Sequence, residues 1–231
     1  MGNPSPDAKR GTPIRSFVRR DSRMTPAQKA ALEALWPRYV LPPLNTRDDL
    51  DAAFGRPAPT TLEIGSGDGA CTLALAGREA DQNFIAVDVY RPGLGRLLHR
   101  AANQSLANIR VSDADICDLL GPITEPVFDR VLVFFPDPWP KKRHNKRRLL
   151  QQDFFNLLLP RVQRHGRVFI ATDNAEYAES VVATIEQLPR WINLAGPAAW
   201  APRAAFRPIT KFEAKAGAAG SRVFDIVLAR A

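Results

Sequence analysis

The sequence has few cysteines and no long hydrophobic segment. Only Cys71 and Cys117 occur in 231 residues, and neither lies in a Cys-x-x-Cys motif or near a histidine at metal-ligand spacing. We therefore expect reduced thiols in a cytoplasmic protein, with no disulfide framework and no bound metal. No apolar run approaches the ~20 residues of a membrane span, and the N-terminal residues lack the apolar core of a secretory signal. These absences argue against membrane and secreted proteins.

Positive charge is concentrated in two short segments. The chain has a net charge of +8 and a pI near 10.0. Residues 1–23 hold six basic and two acidic residues, whereas residues 141–148 hold six basic residues and no acidic one. The rest of the chain is therefore slightly acidic. Two dense clusters on such a chain favour a phosphate-bearing partner over an evenly solvated basic surface.

The chain divides into an arm and a domain. Residues 1–23 combine charge with Pro, Gly and Ser, which predicts a flexible basic arm. Residues 24–231 are expected to form one domain. Its first helix, capped by Thr25 and running from Pro26 to about residue 39, precedes alternating strands and helices. This alternation predicts a doubly wound α/β fold with a mostly parallel, seven-stranded sheet and helices on both faces. The predicted strands are 61–64, 83–89, 108–111, 129–135, 167–172, 191–194 and 222–228, and the later helices are 70–80, 93–104, 149–162 and 175–188.

Five predicted strands end in an acidic residue or a glycine turn. The residues at these ends are Gly65, Asp88, Asp115, Asp137 and Asp173. Because parallel strands end at one edge of a sheet, where ligands of doubly wound folds bind, we expect these residues to share a site.

The stretch EIGSGDG, residues 63–69, joins the end of the first strand to a glycine-rich turn, residues 65–69, and Glu63 lies just before this turn. Gly65 and Gly67 would let the backbone approach a ligand closely. The turn lacks the G-x-G-x-x-G spacing of dinucleotide sites, and Glu63 would repel a pyrophosphate. Glu63 suits a cofactor whose reactive end carries an amine and a sulfonium, and Asp88 suits ribose hydroxyls. The alternatives are a strand-end ion pair for Glu63 and a turn role for Asp88.

Asp115 is a further candidate for the cofactor site. Its carboxylate could face an adenine amino group, although each of Asp113, Asp115 and Asp118 could instead cap a helix. The arrangement of the glycine-rich turn, Asp88 and Asp115 resembles that of the class I S-adenosylmethionine-dependent methyltransferases. The resemblance implies S-adenosylmethionine as cofactor.

Residues 134–149 read FFPDPWPKKRHNKRRL, an apolar strand end followed by a dense basic run. Prolines flank Asp137 and Trp139 and hold the chain extended, so that both side chains are presented stiffly. A carboxylate, an aromatic plane and a cationic cluster suit chemistry on a base within a polyanion. Trp139 either stacks on a base or packs against the sheet edge.

This segment is similar to the signature of bacterial tRNA (guanine-N7)-methyltransferases. The stretches LEIG (62–65), ATD (171–173) and RPITKFE (207–213) match the same family, and the resemblance runs from about residue 14 to the C-terminus. It implies methyl transfer from S-adenosylmethionine to N7 of the guanine at position 46, in the variable loop of tRNA. It places Glu63, Gly65, Gly67, Asp88, Asp115 and Asp137 at the cofactor, with Asp137 as the catalytic acid. It places Lys141, Asp173, Thr210, Lys211, Phe212 and Glu213 at the substrate.

Guanine N7 carries a lone pair and no proton, so its attack on a sulfonium methyl needs no general base. Orientation of N7 in line with the methyl group, worth up to ~7–11 kcal/mol, and fixed carboxylate charge are the expected sources of catalysis. We expect Asp137 to accept hydrogen bonds from N1–H and the 2-amino group of guanine. The alternative is that Asp137 contacts the amine of the cofactor.

Other functions stay open at this stage. The chain could methylate another RNA or a protein nitrogen, or bind RNA on the same fold without catalysis, whereas the glycine pattern disfavours an NAD-dependent oxidoreductase. Asp173 could cap the next helix instead of contacting substrate. The sequence does not fix the oligomeric state, and a monomer is favoured.

Overall fold

The structure, a computed structural model, describes residues 24–218 and 220–231. The predicted arm, residues 1–23, lies outside them. Eight α-helices occur in the described part: α1 (Pro26–Tyr39), α2 (Arg47–Phe54), α3 (Ala70–Arg78), α4 (Arg91–Asn103), α5 (Ile116–Leu120), α6 (Gln152–Leu158), α7 (Ala175–Glu186) and α8 (Lys211–Ala218). The strands are β1 (Thr60–Ile64), β2 (Asn83–Val87), β3 (Ile109–Ser112), β4 (Phe128–Phe134), β5 (Val162–Thr172), β6 (Trp191–Asn193) and β7 (Phe224–Arg230), and 3₁₀ turns cover Lys142–Arg147 and Leu159–Arg161.

The strands form one seven-stranded sheet in the order β3-β2-β1-β4-β5-β7-β6. The first five strands are parallel, and β7 runs antiparallel to both of its neighbours, β5 and β6. The predicted doubly wound α/β fold is therefore confirmed. Strands β2 and β3 extend the sheet to one side of β1, whereas β4 and β5 extend it to the other side. Ligands of doubly wound folds bind where the order reverses in this way, so we expect the ligand crevice at the carboxyl ends of β1, β2 and β4.

Both faces of the sheet are covered by apolar layers. Leu62 and Val131 point to the face that α6 and α7 cover, whereas Phe84 and Leu132 point to the face under α1, α3 and α4. This alternation follows the two-residue period of a strand. Burial on both faces explains why β1 and β2 are buried along their whole length.

Helix α4 packs directly on the glycine-rich turn. A Cβ atom at Gly93 would lie 2.2 Å from the carbonyl oxygen of Gly67, and one at Gly69, where φ is +74°, would lie 2.3 Å from Leu97 Cγ. Only glycine therefore allows this distance between the helix and the turn. The packing fixes the turn at the carboxyl edge of the sheet.

Several elements differ from the sequence prediction. The pattern did not indicate α2, α5, α8 or the 3₁₀ turn at Lys142–Arg147. The signals for α2 are present in the sequence: Thr46 and Asp49 form a reciprocal capping box, and Gly55 ends the helix at φ +69°. Helices α5 and α8 are short, with five and eight residues, and provide little periodicity.

The predicted helix over 149–162 is wrong in its extent. Helix α6 covers only Gln152–Leu158, and Pro160, which lacks an N–H group, lies in the 3₁₀ turn that follows. Strand β5 then begins at Val162, five residues before the predicted start. Arg164 and His165, in its first part, are exposed, so this part lacks the apolar run that indicates a buried strand.

Candidate active site

A cleft of ≈ 340 Å³ opens at the carboxyl ends of β1, β2 and β4, where the strand order reverses. This volume lies in the range of small-molecule sites. Its lining includes five of the residues that the sequence predicts for the site: Gly65, Gly67, Asp88, Asp137 and Lys211. The cleft therefore brings the glycine-rich turn, two strand-end carboxylates and the start of α8 together.

Asp88 fastens the glycine-rich turn. Its Oδ2 accepts a hydrogen bond of 2.7 Å from the Gly67 N–H, and its Oδ1 accepts one of 2.7 Å from the Tyr90 N–H. Burial raises the pKa of Asp88, and the charge of Asp137 adds to this, while the two backbone N–H groups oppose it. Each carboxylate oxygen can accept a second hydrogen bond, so Asp88 can also accept hydrogen bonds from the hydroxyl groups of a ligand bound in the cleft.

Glu63 lies beside a smaller cavity of ≈ 40 Å³ that adjoins the turn. The side chain is 5% exposed and accepts a hydrogen bond from Thr72 Oγ1. Burial raises the pKa of Glu63 to about 7. Within the described residues Glu63 forms no ion pair, so the alternative of a strand-end ion pair is not observed there.

Ser66 lines the same small cavity. Its buried Oγ has no hydrogen-bond partner among the described residues. A buried hydroxyl without a partner is unfavourable unless a ligand or water satisfies it. Glu63 and Ser66 thus present a carboxylate and a hydroxyl to a polar group of a ligand.

Asp115 caps α5. Its Oδ1 accepts a hydrogen bond of 2.9 Å from the Cys117 N–H, which is the capping alternative considered from the sequence. The neighbouring residues Ala114 and Ile116 line the cleft, whereas Asp115 itself is not among the lining residues. A contact between Asp115 and an adenine amino group stays a prediction.

Asp137 lies exposed at the rim of the cleft, in the turn that follows β4. Two non-glycine residues in this turn have left-handed backbone conformations, Phe135 with φ 53° and Trp139 with φ 47°. Each such residue costs of order 1–3 kcal/mol and persists only where its surroundings hold it. One such contact is the 2.7 Å hydrogen bond from the Phe135 N–H to the carbonyl oxygen of Ala171.

Trp139 packs against the basic segment, residues 141–148. The Arg147 guanidinium lies 5.0 Å from the centre of its ring, and the His144 ring meets it edge-on at 5.8 Å between centroids. Trp139 and Arg147 therefore support each other through a cation–π contact. Stacking of Trp139 on a base stays a prediction.

The basic segment offers fewer free charges than its composition suggests. Arg148 is buried, with its side chain 5% exposed. Its Nε donates a 2.8 Å hydrogen bond to the Pro138 carbonyl oxygen, and its Nη2 donates one of 3.2 Å to Glu176 Oε1. Because the Arg148 guanidinium contacts protein groups, fewer than six basic side chains of this segment are available to phosphates. The exposed basic side chains are those of Lys141, Lys142, Arg143 and Lys146.

Asp173 follows β5 and is exposed. The cap of α7 is Asn174, whose Oδ1 accepts a 2.8 Å hydrogen bond from the Tyr177 N–H. The capping alternative for Asp173 is therefore wrong. A substrate contact by Asp173 stays a prediction.

The predicted substrate box, residues 210–213, forms the start of α8. Thr210 Oγ1 accepts a 3.2 Å hydrogen bond from the Glu213 N–H, and Thr210 and Lys211 line the smaller cavity. Glu213 pairs instead with Arg203, at 2.6 Å, and with Arg207, at 3.1 Å. Substrate contacts by Thr210, Lys211 and Glu213 stay predictions. The side chain of Phe212, the remaining member of the box, lies outside the described part.

Lys211 links α8 to the glycine-rich turn. Its Nζ lies 3.1 Å from Asp68 Oδ2. Burial would raise the pKa of Asp68, but the hydrogen bond from Lys211 and the charges of Arg96 and Arg100 outweigh it and hold this pKa below its usual value. Asp68 is therefore ionised at neutral pH and retains its pairing with Lys211.

Sequence reasoning missed a buried cation next to the Asp137 turn. The Arg207 side chain is 0% exposed, and its guanidinium lies 5.3 Å from the centre of the Phe134 ring and 5.9 Å from that of Phe135. Its Nη2 donates a 3.1 Å hydrogen bond to Asp225 Oδ2 on β7. Arg207 opens the stretch RPITKFE, but its burial does not follow from the local sequence, because Asp225 and the two phenylalanines come from other segments.

Metal sites and membrane-spanning helices are absent from the described residues. These residues contain no group of three or more His, Cys, Asp or Glu side chains that could hold a metal ion. None of the helices in the described part is long and apolar enough to cross a membrane.

Comparison with known proteins identifies the family. A family model described as "Putative methyltransferase" matches residues 57–226. The tRNA (guanine-N(7)-)-methyltransferase of Halorhodospira halophila is 42% identical over 92% of this chain and 93% of its own length. That of Alkalilimnicola ehrlichii is 43% identical over 93% of this chain and 91% of its own length. The crystal structure of the antibiotic-resistance methyltransferase Kmr aligns with a TM-score of 0.56 at 15% identity, over 81% of this chain and 93% of that one, and shows the shared fold. This chain belongs to the tRNA (guanine-N7)-methyltransferase family.

Proposed function

We propose that this protein transfers a methyl group from S-adenosylmethionine to N7 of a guanine in tRNA, the guanine at position 46 in the variable loop, and that it acts in the cytoplasm. The observation that carries the proposal is the cleft at the carboxyl ends of β1, β2 and β4, which Asp88, the glycine-rich turn and the Asp137 turn all line. The names of the relatives that cover most of the chain support the choice of tRNA as substrate.

The residues of the cleft fit S-adenosylmethionine. Asp88 offers acceptors for ribose hydroxyls, and its two backbone hydrogen bonds hold it in place. Glu63 and the Ser66 hydroxyl, which has no partner in the described part of the chain, suit the amino-acid end of the cofactor. An ammonium there would favour the ionised form of Glu63. When bound, the cofactor supplies a methyl group on a sulfonium centre.

Asp137 acts on the guanine by orientation and charge. It accepts hydrogen bonds from N1–H and the 2-amino group and thereby aims N7 into the cleft. Because the product purine is cationic, a fixed carboxylate beside it stabilises the developing charge. No residue has to remove a proton from N7, because this nitrogen carries none.

The exposed cations of the basic segment bring the tRNA to the cleft. Lys141, Lys142 and Arg143 follow the Asp137 turn directly and are exposed. They bind backbone phosphates, so that a nucleotide next to the bound phosphates reaches Asp137. Lys141 is the first of them and the one nearest to Asp137 along the chain.

Incubation with labelled S-adenosylmethionine and unmodified tRNA, followed by nucleoside analysis, tests the proposal. Label in 7-methylguanosine, lost when guanine 46 is replaced by adenine, is the expected result. Label in another nucleoside or in protein would assign a different methyl acceptor. Tight tRNA binding without any transfer would indicate an RNA-binding protein on the same fold.

A further inference from the structure

Two buried arginines, Arg148 and Arg207, contact the Asp137 turn at points on either side of Asp137. Arg207 lies against the rings of Phe134 and Phe135, at 5.3 and 5.9 Å. Arg148 donates a 2.8 Å hydrogen bond from Nε to the carbonyl oxygen of Pro138. Asp137 therefore lies between two points at which a guanidinium touches the chain.

Each arginine is itself anchored to a different part of the fold. Arg207 Nη2 donates to Asp225 of β7, and its Nη1 lies 3.1 Å from Glu213 of α8. Arg148 Nη2 donates to Glu176 of α7, and its guanidinium lies 5.0 Å from the centre of the Tyr177 ring. The two arginines thus connect the Asp137 turn to β7, α8 and α7.

The turn needs such support, because its backbone conformation is unfavourable by itself. Phe135 and Trp139, which lie on either side of Asp137, both have positive φ values. Residues without a glycine's freedom hold this conformation only when the surrounding structure fixes it. Arg207 contacts the first of these two positions, and Arg148 contacts the residue before the second.

We propose that Arg148 and Arg207 are positioning residues that hold the Asp137 carboxylate at the cleft through these contacts with its turn. The proposal rests on the proposed function for the role of Asp137 but not for the contacts. Neither arginine is available to the substrate, because their side chains are only 5% and 0% exposed. Arg148 thus differs in role from the exposed lysines of the same basic segment.

The test replaces each arginine by methionine and measures three quantities. Turnover with tRNA should fall at least tenfold, whereas the Kd for S-adenosylmethionine, measured by calorimetry, should stay within threefold, because Asp88 and the glycine-rich turn are untouched. Hydrogen exchange of the backbone amides of Phe135, Asp137 and Trp139, the three residues of 135–139 that have an N–H, should accelerate. Unchanged turnover in either variant, or a loss of cofactor affinity that parallels the loss of turnover, would overturn the role of that arginine.

Arg110 provides a matched control. Its Nε donates a 2.8 Å hydrogen bond to the carbonyl oxygen of Ala53, and its guanidinium lies 4.8 Å from the centre of the Phe54 ring. Like Arg148, it donates from Nε to a backbone carbonyl oxygen and lies over an aromatic ring, and it does so from β3, outside the cleft lining. Arg110→Met should keep turnover within twofold of the native value. If it lost as much turnover as Arg148→Met and Arg207→Met, the loss would reflect general destabilisation, and the positioning role would be overturned.

Two further measures keep the outcome decisive. Arg207→Met leaves Asp225 buried without its cation and is at risk of unfolding, so the double variant Arg207→Met/Asp225→Asn is tested beside it. Native-like turnover of this folded double variant would overturn the role of Arg207.

The proposed function would fail by a separate result, namely that the native protein does not form 7-methylguanosine. The exchange rates of residues 135–139 test the positioning contacts in that case as well.

Discussion

The Lys211 ammonium nitrogen lies 3.1 Å from Asp68 Oδ2, and this ion pair joins the first residue of α8 to the glycine-rich turn. The two side chains are 56% and 27% exposed, respectively. Ion pairs at such exposure contribute roughly 0–1 kcal/mol to stability. The pair therefore contributes little to stability. Its main effect is to hold the Lys211 ammonium at a point that borders both cavities.

Lys211→Met should therefore separate stability from activity. We expect the free energy of unfolding to fall by less than about 1 kcal/mol, as for an exposed pair. Turnover with tRNA should fall at least several-fold, because Lys211 borders the cleft. Urea unfolding and initial-rate assays provide the two measurements, with Lys29→Met, which removes another exposed ion pair on α1, as control. Normal turnover would remove Lys211 from the predicted substrate residues.

Glu63→Gln should change the pH dependence of stability. Burial raises the pKa of Glu63 from its ordinary value of 4.5 to about 7, so the folded state holds this proton more tightly than the unfolded state does. Its contribution to stability is full below pH 4.5 and is lost as the pH rises to about 7. Without ligand, Glu63→Gln should therefore be more stable than the native protein at about pH 8, by roughly 3 kcal/mol, and about equally stable at about pH 4.5.

Urea unfolding at the two pH values measures this difference. The exposed Glu33 provides the control, since Glu33→Gln removes only an exposed ion pair with Lys29. It should change stability by less than about 1 kcal/mol at either pH. An equal effect of Glu63→Gln at the lower and the higher pH would contradict a raised pKa for Glu63.

Asp137→Asn tests the role of the turn in catalysis. The amide keeps the shape of the side chain but removes its charge, so turnover should fall by at least ~10-fold while the Kd for S-adenosylmethionine changes little. Asp81→Asn, in an exposed turn outside the cleft lining, is the control and should leave turnover unchanged. A parallel loss of cofactor affinity would instead favour a contact between Asp137 and the cofactor's amine.

Gly93→Ala should disturb the cleft through packing. The added Cβ would lie 2.2 Å from the Gly67 carbonyl oxygen, so that α4 or the glycine-rich turn must move. We expect a loss of about 1–3 kcal/mol in stability and a lower affinity for S-adenosylmethionine. Gly77→Ala in α3 has open space around its Cβ and should raise stability by up to ~1 kcal/mol. Unchanged cofactor affinity in Gly93→Ala would show that the turn tolerates the displacement.

The salt dependence of tRNA binding should distinguish exposed from buried charges. Replacing Lys142, Arg143 and Lys146 by alanine should reduce the slope of log Kd against log salt concentration by about 0.7–0.9 for each phosphate that the variant no longer binds. Arg148→Met should leave the slope unchanged, because its guanidinium contacts protein groups. A reduced slope for Arg148→Met would mean that this residue reaches the RNA.

The parts of the fold that follow from periodicity could be predicted from the sequence. Strands β2 and β4 contain the apolar runs 84–87 and 131–134, and β1 carries Leu62 and Ile64 before the glycine-rich turn. The residues that follow these strands could therefore be assigned to one edge. The beginning of β5 could not be predicted, because Arg164 and His165 are exposed there and a register shift interrupts the pairing with β4. Its pairing depends on a neighbouring strand, which a local pattern does not reveal.

The candidate site shows the same division. The sequence places Asp88 and Asp137 at neighbouring strand ends, and both line the cleft. It does not distinguish Arg148 from Lys142 within one basic run, although one is buried and the other exposed. That difference arises from Tyr177 and Glu176 on α7, which follow about 30 residues later in the sequence. Composition therefore overstates how many charges are available to RNA.

Strand β7 follows α8 along the chain but lies inside the sheet, between β5 and β6. It carries Asp225, which holds Arg207. During synthesis on a ribosome, a chain that ends before residue 225 already contains every residue predicted for the site but lacks the strand that anchors the turn of Asp137. Assembly of the site is thereby tied to completion of the sheet, and a prematurely terminated product would carry the motifs without the arrangement that they require.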